Sequence, residues 1–157
     1  MQDNNFYMVK YFYTFLVSIL CGTAVIAQPA KQAVIFFKKG LQLEEKGMFN
    51  EAIVAFKKAV VLNKKYDSAY LQMGMLYAKI SKPDSAVITL KKAVKANPSF
   101  AAAYTAMGTI YRDYIKNMDA AIVSYAGAYI IDSTDKIACY NMAWCYNAKE
   151  NYREAIN

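Results

Sequence analysis

The chain of 157 residues contains no histidine. Histidine is the commonest general base near neutral pH, the usual activator of serine and cysteine nucleophiles, and a leading zinc ligand. Its absence removes those reaction classes together. Proline is scarce at 3 and glycine at 6, too few for the many turns of an all-β chain. Long charged tracts are missing too, with charged residues at 20% against 57% hydrophobic, the reverse of a disordered composition. The length suits about one domain.

Charge is also absent from Tyr11 to Ala30. Lys10 precedes this run, the apolar stretch from Tyr11 to Leu20 follows, and smaller residues lead through Val25 and Ala27 to Gln28 and Pro29. A basic start, an apolar middle and a small-residue exit describe a secretory signal peptide at residues 1–27, cleaved after Ala27; Met8 is an alternative start. The run is also long enough to cross a bilayer. An uncleaved anchor over Tyr11–Ala27 is therefore the competing reading, and the only membrane contact expected. Leu20 stands where a lipoprotein signal needs a small residue before Cys21, so lipidation is rejected. The expected location is beyond the inner membrane, in the periplasm or cell envelope; the secretory lumen is the eukaryotic equivalent. Lys10 and Asp3 leave together, so the net charge of +7 survives cleavage. Cys139 and Cys145 remain, six residues apart and therefore about 240° apart around a helix axis. They cannot bridge each other within that helix. Packing alone must hold the fold.

From residue 33 onward the chain repeats itself. Gly40, Gly74 and Gly108 are spaced by 34 and 34 residues, and Ala143 follows 35 later. Four residues before each stands Phe36, Tyr70, Tyr104 or Cys139, and three after each Leu43, Tyr77, Tyr111 or Tyr146. A second small residue recurs at Ala52, Ala86, Ala121 and Ala155, each followed by Ile or Val. Phe56, Leu90 and Tyr125 come next, then Ala59, Ala93 and Ala128, and Pro98 closes the second unit. Such a period marks units that each bury their apolar face only against neighbours. Glycine and alanine let paired helices approach closely, and the large residues fill the space between. The tyrosines at 70, 77, 104, 111, 125 and 146 all fall on these packing positions and are read as core.

This pattern resembles the tetratricopeptide repeat, over residues 33 to the end. The resemblance implies an all-α, right-handed α-solenoid of antiparallel helix pairs, with repeats at about 33–66, 67–100 and 101–135 and a partial fourth at 136–157. The array as a whole is expected over residues 28–157. Lys64 and Ser133 stand where the family has proline, and Cys139 replaces an aromatic. Gly108 to Ala121 is 13 residues where the other units have 12, which places one extra residue in the inter-helix turn among Tyr114, Ile115, Lys116 and Asn117. Lys82-Pro83-Asp84 and Asn117-Met118-Asp119 suit helix starts. Tyr152 to Ile156 is expected to open the fourth unit's second helix, and the unfinished unit suggests a fragment of a longer protein.

The resemblance also implies a concave groove lined by first helices. Its matching positions are Phe37, Leu41, Leu71, Met75, Thr105, Thr109, Arg112, Tyr140, Trp144 and Asn147. Members that clamp a chaperone's terminal carboxylate use lysine and asparagine here; Phe37, Leu41, Gln72, Ala102 and Ala106 occupy those places, so that role is disfavoured. Lys57-Lys58 and Lys91-Lys92 are equivalent pairs on second helices and read as a solvated face, with no nucleic-acid motif beside them. No catalytic carboxylate pair, phosphate loop or metal-ligand cluster is present, so no enzyme activity, cofactor or metal is expected. The reading is a non-catalytic scaffold that docks a protein or peptide segment, with Trp144 and Tyr140 as anchors. The alternative is the N-terminal part of a longer envelope-anchoring protein, the array packing against further domains of its own chain, such as a peptidoglycan-binding or outer-membrane domain.

Overall fold

The computed structural model describes residues 29–156, with side chains to residue 150; the apolar segment expected to direct export lies outside them. Among the described residues there are seven α-helices and no strand: α1 (29–45), α2 (Phe49–Leu62), α3 (Asp67–Lys79), α4 (Pro83–Ala96), α5 (Ala101–Ile110), α6 (Met118–Ile131) and α7 (Lys136–Ile156). None is long and apolar enough to cross a membrane. Each helix from α2 onward packs on the next, and α3, α5 and α7 also touch in succession. The apolar interior forms three clusters strung along this stack, as expected when each unit is completed by its neighbours.

The recurring glycines act as the spacing requires. A methyl group added at Gly40 would lie 2.5 Å from the Phe56 ring, one at Gly74 would lie 2.7 Å from Leu90, and one at Gly108 would lie 2.6 Å from the Tyr125 ring. Hydrogen replaces carbon so that the second helix can seat its largest side chain. Phe56, Leu90 and Tyr125 are all fully buried there, with Ala52, Ala86 and Ala121 beside them. Pro83 occupies the first turn of α4, and the Asn117 side chain caps α6 by accepting from the Ala120 N–H at 2.9 Å.

The turns end the first helices in one way. Gly47, Ser81 and Lys116 all adopt left-handed backbone, with φ of 74°, 59° and 61°. The chain then folds back so that Met48 N–H donates to the Leu43 carbonyl at 2.9 Å and Lys82 N–H to the Tyr77 carbonyl at 2.8 Å. In the third unit the same bond runs from Asn117 to Tyr111 at 2.9 Å, across one more residue. That residue is absorbed in a π-helical turn, Tyr111–Ile115, rather than in the inter-helix turn where spacing alone places it. The reason is satisfaction of the backbone. A π turn keeps the extra peptide hydrogen-bonded inside the helix, whereas a longer loop would leave its groups unpaired against the packed array.

The fourth unit departs from expectation. α7 runs unbroken from Lys136 to Ile156, and the second helix expected from Tyr152 is not formed. A turn would break helical hydrogen bonds and force a left-handed residue near Glu150. Among the described residues nothing covers two of the packing positions. Ala143, the counterpart of Gly40, Gly74 and Gly108, is exposed. Tyr146 is not core, as its register suggested, but 56% exposed. Tyr125 is fully buried, while Tyr70, Tyr77, Tyr104 and Tyr111 are half-buried against the clusters. Cys145 is buried and Cys139 only half-buried, and both are free thiols.

Candidate functional site

The first helices carry the ten candidate residues, and the structure divides them into three groups. At the N-terminal end Phe37 is half-buried, its ring 4.8 Å from that of Tyr66 and 5.5 Å from that of Phe56. It braces α1 against its neighbours, and Leu41, 38% exposed, is the more open of the pair. Leu71 and Met75 pack against the second cluster with part of their surface showing.

The threonines in the middle are already engaged. Thr105 Oγ1 donates to Asp135 Oδ2 at 2.9 Å, and Thr109 Oγ1 lies 3.1 Å from Tyr125 Oη. Any ligand hydrogen bond must be shared with these. Asp135 also accepts from the Ile137 and Ala138 N–H groups at 2.9 and 3.0 Å, which caps α7 and ties it to α5. Replacing Asp135 by alanine is expected to cost about 1–2 kcal/mol, the upper part of the capping range. Urea denaturation checks this, and an unchanged midpoint refutes it.

The C-terminal group is held by Arg112. Its guanidinium bonds Asp113 through Nε at 2.6 Å and Nη2 at 2.9 Å, donates through Nη1 to Asn141, and lies 5.5 Å from the centre of the Trp144 ring. The Asp113 hydrogen bond holds the Arg112 pKa above its ordinary value against a desolvation that lowers it. The same bond holds the Asp113 carboxyl below its ordinary range. The pair is therefore fully ionised at neutral pH. Arg112 is spent on Asp113 and Asn141, so it orients the indole by a cation–π contact rather than offering a free anion site. Trp144 keeps 45% of its surface exposed and Tyr140 71%, with Asn147 exposed one turn further on. Asp113, Asn141 and Asp135 escape a reading of the sequence because they carry no motif, and the contacts of Asn141 and Asp135 lie about 30 residues away.

A cavity of about 550 Å³ on another face lies between α4, α5 and α6, against Val94, Tyr104, Met107, Tyr111 and Val123. Tyr104 and Tyr111 lie well round the α5 axis from Thr105 and Thr109, so this cavity is separate from the candidate strip. Among the described residues no group of histidine, cysteine, aspartate or glutamate is placed to hold a metal.

A family model for the tetratricopeptide repeat matches residues 67–100. The first tetratricopeptide domain of Spaghetti (RPAP3), solved with the HSP90 peptide SRMEEVD, superposes with a TM-score of 0.72 over 77% of this chain and 95% of its own, at 18% identity. The fold is a tetratricopeptide-repeat array. MamA is more similar in sequence: one crystal structure is 27% identical, with a TM-score of 0.70, over 86% of this chain and 78% of that one. The second tetratricopeptide domain of human RPAP3, solved with the HSP70 peptide SGPTIEEVD, gives a TM-score of 0.70 at 18% identity, over 75% of this chain and 98% of its own. No curated protein matches the chain. Within the array, the matched unit is α3–α4, the one whose spacing, proline and close glycine contact all follow the repeat.

Proposed function

We propose that the array is a non-catalytic scaffold that docks a segment of another protein along the strip from Leu41 to Asn147, after export to the periplasm or cell envelope. The observation that carries this reading is the pair of exposed aromatics on α7, with Trp144 already oriented by Arg112. Aromatic side chains supply large contact area at low entropy cost and dominate interface energetics. Leu41, Leu71 and Met75 extend the apolar surface toward the N-terminus. The peptides bound by the RPAP3 domains support a docking role for this fold. The partner recognised here is an apolar segment rather than an acidic tail, because Arg112 is neutralised and the carboxylate-clamp positions hold Phe37, Leu41, Gln72, Ala102 and Ala106.

Trp144 is the single tryptophan, so its emission reports on the strip directly. A peptide selected on the array from a displayed random library should shift that emission. Trp144→Ala and Leu41→Ala should each weaken its binding by about tenfold, or 1.4 kcal/mol. Affinities within about threefold for both variants, with unchanged emission, end the docking reading. Export is tested separately: a processed N-terminus at Gln28 supports it, and an intact Met1 in the soluble cytosol ends it.

A further inference from the structure

The second helices of the three units each turn one stripe outward. On α2 it runs from Val54 through Lys57 and Lys58 to Val61, and on α4 from Ile88 through Lys91 and Lys92 to Lys95. On α6 it begins at Val123 and ends, without a charge, at Ile130. Steps of three and four residues align each stripe along its helix, and the repeat period sets equivalent positions side by side. The five aliphatic residues are each more than half exposed, and the five lysines are exposed with them. No first helix contributes to this face, so it shares no residue with the partner strip. Its charge is of one sign. Between Glu51 and Asp67 come four lysines and no carboxylate, and between Asp84 and Asp113 three more lysines and again none. Among the described residues the ion pairs are Lys79–Glu44, Arg112–Asp113 and Lys149–Asp119, so no carboxylate neutralises these seven lysines. We propose that this outer face of α2, α4 and α6 docks on a bilayer surface bearing anionic lipid headgroups.

The composition of the face selects a lipid surface over other anionic partners. Protein interfaces concentrate aromatic residues and arginine at their centre and are depleted in lysine. Single-stranded nucleic acid is held by aromatic rings on which bases stack. Neither arginine nor an aromatic residue occurs on these stripes, which offer lysine and branched aliphatics alone. At a membrane interface that pair of residue types divides the work: the aliphatic groups enter the boundary of the acyl region and the ammonium groups stay at headgroup level. The relief of the face agrees. The cavity of about 550 Å³ between α4, α5 and α6 has Lys91 and Val123, one from each stripe, among its lining residues. A second, of about 350 Å³, is lined by Val54, Lys57, Lys58 and Val61 together with Phe36 of α1. Lys57 lies over the Tyr77 ring at 5.9 Å and Lys58 over that of Phe36 at 5.4 Å, so both stems lie along apolar surface. Each recess is therefore apolar within and cationic at its edge, the polarity of a lipid headgroup and chain reversed.

The test places an environment-sensitive dye on Ile88→Cys in the full chain, with the three native cysteines replaced by alanine. Vesicles of phosphatidylglycerol and phosphatidylcholine in equal parts should shift its emission to the blue, and pure phosphatidylcholine should not. The same dye on Leu41→Cys, in the partner strip, should stay unshifted. Changing Lys57, Lys58, Lys91 and Lys92 together to glutamine should raise the lipid needed for half the shift at least about tenfold. Raising salt from about 0.1 to about 1 M, which shortens the Debye length from about 10 to about 3 Å, should reverse it. Circular dichroism confirms that these exposed substitutions leave the helices intact. A chain held only through Tyr11–Ala27 binds both lipids alike and leaves the dye at position 88 unshifted, which overturns the proposal. A shift indifferent to the four lysines overturns it as well. So does a response to duplex DNA, at matched phosphate, as large as that to the anionic vesicles. No partner protein enters the test, so its result is independent of docking on the strip.

Discussion

Replacing Tyr125 by alanine is expected to lower the stability of the array by about 3–5 kcal/mol, the range for deleting a buried aromatic ring. The ring is fully buried, fills the space opposite Gly108, and belongs to the cluster that joins α6 to α7. Its loss leaves a cavity beside the π-helical turn. Tyr125→Phe keeps the ring and removes only the hydroxyl contact with Thr109, for an expected cost of about 1 kcal/mol. Burial also raises the phenol pKa above its ordinary 10.0, against the opposing pull of Thr109 and Arg112. The unfolded chain therefore releases this proton before the folded one does. The sign follows: stability contributed by the neutral phenol is complete below pH 10 and declines as pH rises past it. Urea midpoints between pH 8 and 11 should fall less steeply for Tyr125→Phe than for the parent. Equal slopes would show that the phenol does not titrate differently on folding.

The second large effect is a change of sign. Gly74→Ala should destabilise the parent by about 1–3 kcal/mol through overpacking, although alanine is intrinsically the better helix former. The added methyl would lie 2.7 Å from Leu90 Cγ, 2.9 Å from Leu90 Cδ2 and 3.4 Å from the Ala86 carbonyl oxygen. Leu90→Ala alone should cost about 2–5 kcal/mol by opening a cavity. With Leu90 shortened the obstruction is gone, so Gly74→Ala in that background should instead gain roughly 1 kcal/mol, the propensity difference alone. Denaturation of the four members of this double-mutant cycle measures the coupling directly. Additive costs would mean that Gly74 is required for some reason other than the approach of Leu90.

Much of the fold is legible in the amino-acid pattern. The phase of Gly40, Gly74 and Gly108 against Phe56, Leu90 and Tyr125 establishes the pairing of helices and the number of complete units. The helix starts at Pro83 and Met118 follow from the proline in the first turn of α4 and from the Asn117 cap of α6. These features are local, or repeat at a fixed interval, so one pattern read three times constrains them strongly. The candidate strip is legible only as a set of positions. That Phe37 is braced by Tyr66, that Thr105 and Thr109 are occupied by Asp135 and Tyr125, and that Arg112 holds Trp144 all depend on residues 16 to 32 positions distant.

By itself the sequence determined a stack of helix pairs, because a 34-residue period in small and large residues has one economical packing. It could not determine which register positions meet a partner surface among the described residues, or how an extra residue is housed. The insertion became a π-helical turn at Tyr111 because tertiary packing preserved the closing bond to that carbonyl and left the helix to absorb the excess. Ala143 and Tyr146 have the register of core residues and lie exposed, because burial belongs to a pair of surfaces and no second surface among the described residues meets them.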